Sequence, residues 1–273
     1  MSKRKKVFFH VGLGKVASTF LQHQLFPKLQ GICYIKPSQY RRSKTIIAQT
    51  QGQNVLVSRE FDQQLEEELR WFCADVSNVH VILCVRRQDD WIASQYRRRV
   101  KNGWLMEFNQ FIDLKNDQGF WKKEELYYQP KMEMIQKITG NKPLVMVYDE
   151  LQEAPEAFVK RLTDYIGLTA PRMSFRKVHA SFADKQLVVL QWFCRTFIRR
   201  VPKGRSNKVL HWLLYRPVWA FYHLILYGAA LIPGGWIRRR LIDPEELEEI
   251  RAFYDEDWSN VVSQSSGEKA MHQ

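Results

Sequence analysis

Apolar residues fall along this chain in short unbroken runs, separated by longer stretches where they recur every three or four positions. Residues 7–11, 79–85 and 144–148 are near-continuous apolar runs, and 54–58 carries Val55, Leu56 and Val57. Such runs predict strands buried on both faces. Between them, 18–29 places Phe20, Leu21, Leu25 and Leu29 at helical spacing. Further helices are predicted over 61–75, 89–101 and 155–166, the last stopped by Gly167. Strands alternating with helices predict an α/β fold: a P-loop-like, mostly parallel sheet flanked by helices. The strand pattern ends near residue 181, and helices are predicted over 183–197 and 244–262. The expected division is a nucleotide-binding core over 1–180 and a helical C-terminal region over 181–273 that completes the domain.

Length and composition agree with this. The 273 residues include 9 Trp, 11 Tyr and 16 Phe, enough bulk for a sizeable core. The net charge of +13 favours anionic partners without choosing among a nucleotide, an acidic glycan, a membrane face and nucleic acid. Cys33, Cys73, Cys84 and Cys194 are far apart and form no CxxC, so neither a disulfide framework nor a zinc site is expected. The start KRKK is followed by only three apolar residues, too short for a secretory signal. A cytoplasmic location is expected.

Two segments carry candidate chemistry. The first is HVGLGKVASTFLQ over residues 10–22. A glycine turn between a buried strand and a helix start points several backbone N–H groups into one concavity, and the helix dipole adds positive charge. The loop Gly12, Gly14, Lys15, Val16, Ala17, Ser18 and Thr19 is therefore a candidate phosphate cradle, with a full charge from Lys15 and hydroxyls from Ser18 and Thr19. It is not GxxxxGK[ST], and Val16 stands where a magnesium-holding hydroxyl would follow the lysine. That spacing disfavours metal-assisted phosphoryl transfer from ATP.

The second segment is VILCVRRQDDWIASQY over residues 81–96. An arginine at the end of a parallel strand faces the crevice where α/β sheets bind ligands. Arg86 and Ser94, eight residues later, make a guanidinium fork and a hydroxyl suited to a second phosphate. Strand phase and spacing favour Arg86 over Arg87.

Together these segments resemble the two signature segments of the sulfotransferases that use 3′-phosphoadenosine 5′-phosphosulfate (PAPS). The resemblance implies that Lys15, Ser18 and Thr19 grip the 5′-phosphosulfate, and that Arg86 and Ser94 grip the 3′-phosphate. Tyr148, Glu150 and Leu151 are similar to an acidic turn of the family. His179 and Ser181 are similar to a late loop that closes over the nucleotide, and 244–262 to its C-terminal helix. The pattern looks closest to small, unanchored bacterial-type members. Gly14 and Ala17 replace a proline and a glycine common in the family loop, and Arg87-Gln88 replaces an Asn-Pro. Alanine suits position 17 if its φ is negative and is unwelcome if it is positive.

Sulfuryl transfer to a hydroxyl needs a base for the hydroxyl proton and a cation near the departing oxygen. Lys15 is the candidate cation. Glu60, after the strand at 54–58, and His10, at the end of the first strand, are the candidate bases, with His179 a third. Glu60 reads equally as a carboxylate complementing a helix start, and His10 as a hydrogen-bonded residue shaping the loop.

Residues 209–233 read VLHWLLYRPVWAFYHLILYGAALIP, flanked by basic residues. Arg216-Pro217 interrupts the block, leaving less than the ~20 apolar residues of a spanning helix. It reads as helices forming a lid, as an element on an anionic membrane surface, or as a span. The surface reading would place the protein peripherally on the inner membrane face.

The expected activity is transfer of a sulfuryl group from PAPS, without a metal, to a hydroxyl of a glycan, glycolipid or small metabolite. The rivals are a P-loop small-molecule kinase and a non-enzymatic basic module for membrane or nucleic acid. No nucleic-acid partner is expected.

Overall fold

Five parallel strands form one sheet: β1 (Val7–Gly12), β2 (Ile32–Ile35), β3 (Asn54–Glu60), β4 (Val79–Val85) and β5 (Leu144–Val147). Their order is β2-β3-β1-β4-β5. The computed structural model describes residues 5–173, 175, 182–198 and 208–271, with backbone alone over 208–215 and 266–271. The chain is α/β, with helices flanking the sheet and a helical C-terminal region. Four strands are those expected from the apolar runs. The fifth, β2, is an edge strand of four residues, Ile-Cys-Tyr-Ile, with only its two isoleucines buried, and so short an apolar run does not by itself mark a strand.

The helices are α1 (Ser18–Phe20), α2 (Ser43–Gln49), α3 (Leu65–Cys73), α4 (Gln88–Lys101), α5 (Phe108–Phe111) and α6 (Gln129–Thr139). They continue with α7 (Tyr148–Glu153), α8 (Pro155–Ile166), α9 (Asp184–Phe193), α10 (Lys208–Ala230), α11 (Pro244–Phe253) and α12 (Asp255–Met271). The stretch expected as one helix over 18–29 widens to a π turn at Leu21–Leu25 and tightens to a 3-10 turn at Phe26–Lys28. The predicted helix over 244–262 breaks at Tyr254 into α11 and α12.

The chain divides into two units. The first comprises Met1–Gln88, Tyr127–Val178 and Phe253–Gln273; the second comprises Asp89–Leu126 and His179–Ala252. Residues 89–126 thus group with the C-terminal part, and the last helix with the sheet.

In the first unit, neighbouring β1 residues point to opposite faces, as strand geometry requires. Phe9 packs on Tyr40, Phe61 and Phe72, while Phe8 meets Tyr165 of α8 and His80. Both faces are therefore covered. Asp257 of α12 accepts the backbone N–H groups of Tyr128 and Gln129 at 2.9 Å each, and the side-chain amide of Gln88 at 2.7 Å. One carboxylate thereby satisfies the start of α6 and ties it to Gln88, three residues past the end of β4.

In the second unit, α10 packs on α9. Tyr222, Leu226 and Ala229 are buried, and the Gln186 amide donates to the Leu226 carbonyl at 2.8 Å. Arg97 of α4 clamps Asp184 of α9 with two hydrogen bonds of 2.6 and 2.9 Å. The block 209–233 lies mainly in α10, which runs on through Pro217. No described helix is long and apolar enough to cross a membrane.

Candidate functional site

The connections leaving β1 and β4 run in opposite directions, to β2 on one side and β5 on the other. Adjacent parallel strands whose exits diverge open a crevice beyond their C-terminal ends. Gly12, the last residue of β1, pairs in register with Glu60 of β3 and Cys84 of β4. The glycine loop, Glu60 and, two residues past Cys84, Arg86 therefore leave the sheet at one edge of the first unit.

The loop's conformation explains some of its composition. A Cβ on Gly12 would stand 3.1 Å from the Val16 side chain and 3.4 Å from Cys84 of β4. Glycine lets the loop fold back tightly over the buried Val16. Positive φ falls on Lys15 (75°) and Ala17 (68°), not on either glycine. Left-handed residues alternating with ordinary ones turn successive N–H groups to one side, the nest geometry that receives anions. Ala17 thus adopts the conformation that suits alanine poorly. The Gly14 N–H donates to Asp62 at 3.0 Å, and the Phe61 N–H to the Gly12 carbonyl at 3.1 Å, fastening the loop to the end of β3.

Ser18 is buried, and its hydroxyl has no hydrogen-bond partner among the described residues. A buried, unmatched hydroxyl costs about 1–3 kcal/mol. It would be satisfied by a ligand oxygen in the cradle. Lys15 and Thr19 are exposed at its mouth.

Arg86 is half-buried beside the loop. Its guanidinium lies 4.8 Å from the centroid of the Tyr148 ring. Tyr128 donates its hydroxyl to the Arg86 carbonyl at 2.6 Å, fixing the backbone there. The Arg86 Nε is buried without a partner, and among the described residues this side chain forms no ion pair. Burying a cation without a counter-charge is unfavourable, and an anion in the crevice would relieve it. Ser94 is a half-buried residue of α4, in the second unit. His179 and Ser181 lie outside the described residues.

His10 is fully buried within the sheet. Its Nδ1 lies 2.8 Å from Ser58 Oγ, its β3 register partner, and its Nε2 lies 3.4 Å from Cys84 Sγ. Burial lowers its pKa to about 3, so the ring is neutral. Ser58 also accepts from the Gln22 amide at 3.1 Å, so His10 joins a packed network under the loop. Glu60, by contrast, is exposed at the sheet edge. Cys84 is a free, buried thiol, pushed up to about 12 by burial.

Among the described residues no group of three or more His, Cys, Asp or Glu side chains could hold a metal. Asp62, Tyr128 and Asp257 support the site without being marked in the sequence. Their contacts are long-range, and no local spacing signals them.

Neither a family model nor a curated protein matches the chain. Among solved structures it is similar to a sulfotransferase from Alicyclobacillus acidocaldarius, at 12% identity and a TM-score of 0.47. That match covers 86% of this chain and 100% of the other. It is also similar to a mouse sulfotransferase complexed with PAP, at 12% identity and a TM-score of 0.47, over 99% of this chain and 90% of the other.

Proposed function

We propose that the chain is a sulfotransferase, moving a sulfuryl group from PAPS to a hydroxyl of a glycan, glycolipid or small metabolite. One observation carries the reading: an anion cradle and an arginine without a counter-charge stand at the ends of adjacent strands, on either side of the sheet's switch point. That is the chemistry a nucleotide with two separate phosphate groups requires.

PAPS, when bound, supplies an activated sulfuryl group. The residues fit it: the Ser18 hydroxyl and the loop N–H groups would receive the 5′-phosphosulfate, and Arg86 the 3′-phosphate. The sequence motif adds Ser94 to the second site. Lys15 brings a full positive charge to the loop, where charge grows on the departing oxygen. Glu60 would accept the proton of the attacking hydroxyl; it is exposed and level with Gly12, whereas His10 is enclosed. His10 instead sets the loop's floor. The protein would work in the cytoplasm.

Calorimetry with PAP, ATP and duplex DNA tests the reading. Tight binding of PAP alone supports it. Preference for ATP with magnesium would favour a kinase, and preference for DNA a nucleic-acid module. Transfer of labelled sulfate from PAPS into a cell extract, split into lipid, glycan and small-molecule fractions, then finds the acceptor class.

A further inference from the structure

Helix α10 is apolar on two sides, and one of them is uncovered. On one side Tyr222, Leu226 and Ala229 are buried, and the Leu226 carbonyl receives the Gln186 amide of α9. At 100° per residue the opposite side carries Leu224 and Tyr227, exposed to 68% and 64%, and Leu231, in the turn just past the helix, is exposed to 87%. Trp236, in the turn that follows, is 81% exposed. Residues 217–232 contain no Lys, Arg, Asp or Glu. A soluble surface helix normally places charge on its outer side, and contiguous exposed apolar patches mark interaction sites.

The charges around the patch indicate what covers it. Arg238 and Arg240 are exposed just beyond Trp236 and form no ion pair among the described residues. Arg239 between them is engaged by Glu107, the Nη2–Oε2 contact being 2.7 Å. Two unspent cations beside an uncharged apolar face complement an anionic surface with an apolar interior. A second copy of the chain would bring like charge to like charge, against a net +13 on each.

Length sets the mode of contact. The fifteen uncharged residues 218–232 would extend about 22 Å as a helix, against the ~30 Å of a hydrocarbon core. With one side already packed on α9, such a helix lies along an interface instead of crossing it.

We infer that the outer side of α10, with Trp236, Arg238 and Arg240, docks on an anionic bilayer surface. The test is co-sedimentation of the full chain with phosphatidylcholine vesicles, with and without phosphatidylserine, across a salt series. The wild type is expected to sediment with the anionic vesicles at low salt and to be released as salt rises. R238Q and R240Q should each weaken this binding about fivefold. Leu224→Glu combined with Leu231→Glu should abolish it while leaving the melting temperature unchanged, since neither side chain is packed. If that pair unfolds the protein, the arginine variants and the wild-type salt series decide. A wild type that ignores anionic vesicles overturns the proposal, as do folded variants that bind like the wild type. A dimer broken by Leu224→Glu, with no vesicle binding, would assign the face to a second copy and overturn it equally.

Discussion

The Arg86 guanidinium rests over the Tyr148 ring, 4.8 Å from its centroid, with no carboxylate among the described residues to neutralise it. Stacking fixes the plane of the fork while leaving its N–H groups for a ligand. Arg86→Ala should therefore weaken PAP far more than the analogue lacking the 3′-phosphate. The difference expected for one charge-assisted contact is about 1.5–3 kcal/mol. Arg86→Lys keeps the charge but loses the fork, so it should recover only part of the loss. Equal losses for both nucleotides by calorimetry would remove Arg86 from the phosphate site.

Glu60 and His10 divide by burial. Glu60 is exposed beside Gly12, whereas His10 is enclosed between Ser58 and Cys84. Glu60→Gln should leave PAP affinity nearly intact and lower turnover by roughly 10²–10⁴-fold, the contribution of a general base. His10→Asn should affect stability more than turnover. A fully active Glu60→Gln enzyme would mean that the proton goes elsewhere.

Position 17 carries a strain that glycine would release. Alanine at φ 68° sits in the left-handed region, which costs an L side chain roughly 1–2 kcal/mol. Glycine removes that cost but adds about 0.5–1 kcal/mol of unfolded-state entropy. Ala17→Gly should thus be neutral to about 1 kcal/mol more stable in urea titrations. Ala17→Val, β-branched at the same φ, should be clearly destabilised. A destabilised glycine variant would show that the Ala17 methyl group contributes packing that outweighs the strain.

The sequence made the sheet and the loop legible because both are local. Four strands carry a run of buried apolar residues, and the glycine turn follows the first of them within a few residues. Edge strand β2 escaped because its apolar run, Ile32 to Ile35, is only four residues long and too short to tell a strand from a helix segment. Helix α6 escaped because its start is satisfied from Asp257, more than a hundred residues away, and not by a capping residue of its own. Separation in sequence also hid Asp62 and Tyr128, whose bonds to Gly14 and to Arg86, 48 and 42 residues away, exist only once the chain has folded. The sign of φ at Ala17, open in the sequence, follows from the way the loop doubles back over Val16.

The buried His10 makes a specific pH signature. Its folded pKa is about 3 against an ordinary 6.5, because burial disfavours the charged ring. Between those values the unfolded chain takes up a proton that the folded chain refuses. Stability therefore rises with pH across that window, and it is lost as pH falls below about 6.5. At most one proton is involved, so the slope from this group approaches about 1.4 kcal/mol per pH unit near pH 5. His10→Gln removes the titrating group, so whatever it does to stability at pH 7, it should flatten the dependence between pH 4.5 and 6. His80, also lowered by burial, contributes equally to both proteins and cancels in the difference. Urea unfolding of both proteins at several pH values measures the two slopes. Parallel slopes would mean that His10 is already protonated or solvated in the native protein, and the closed network with Ser58 and Cys84 would then have to be abandoned.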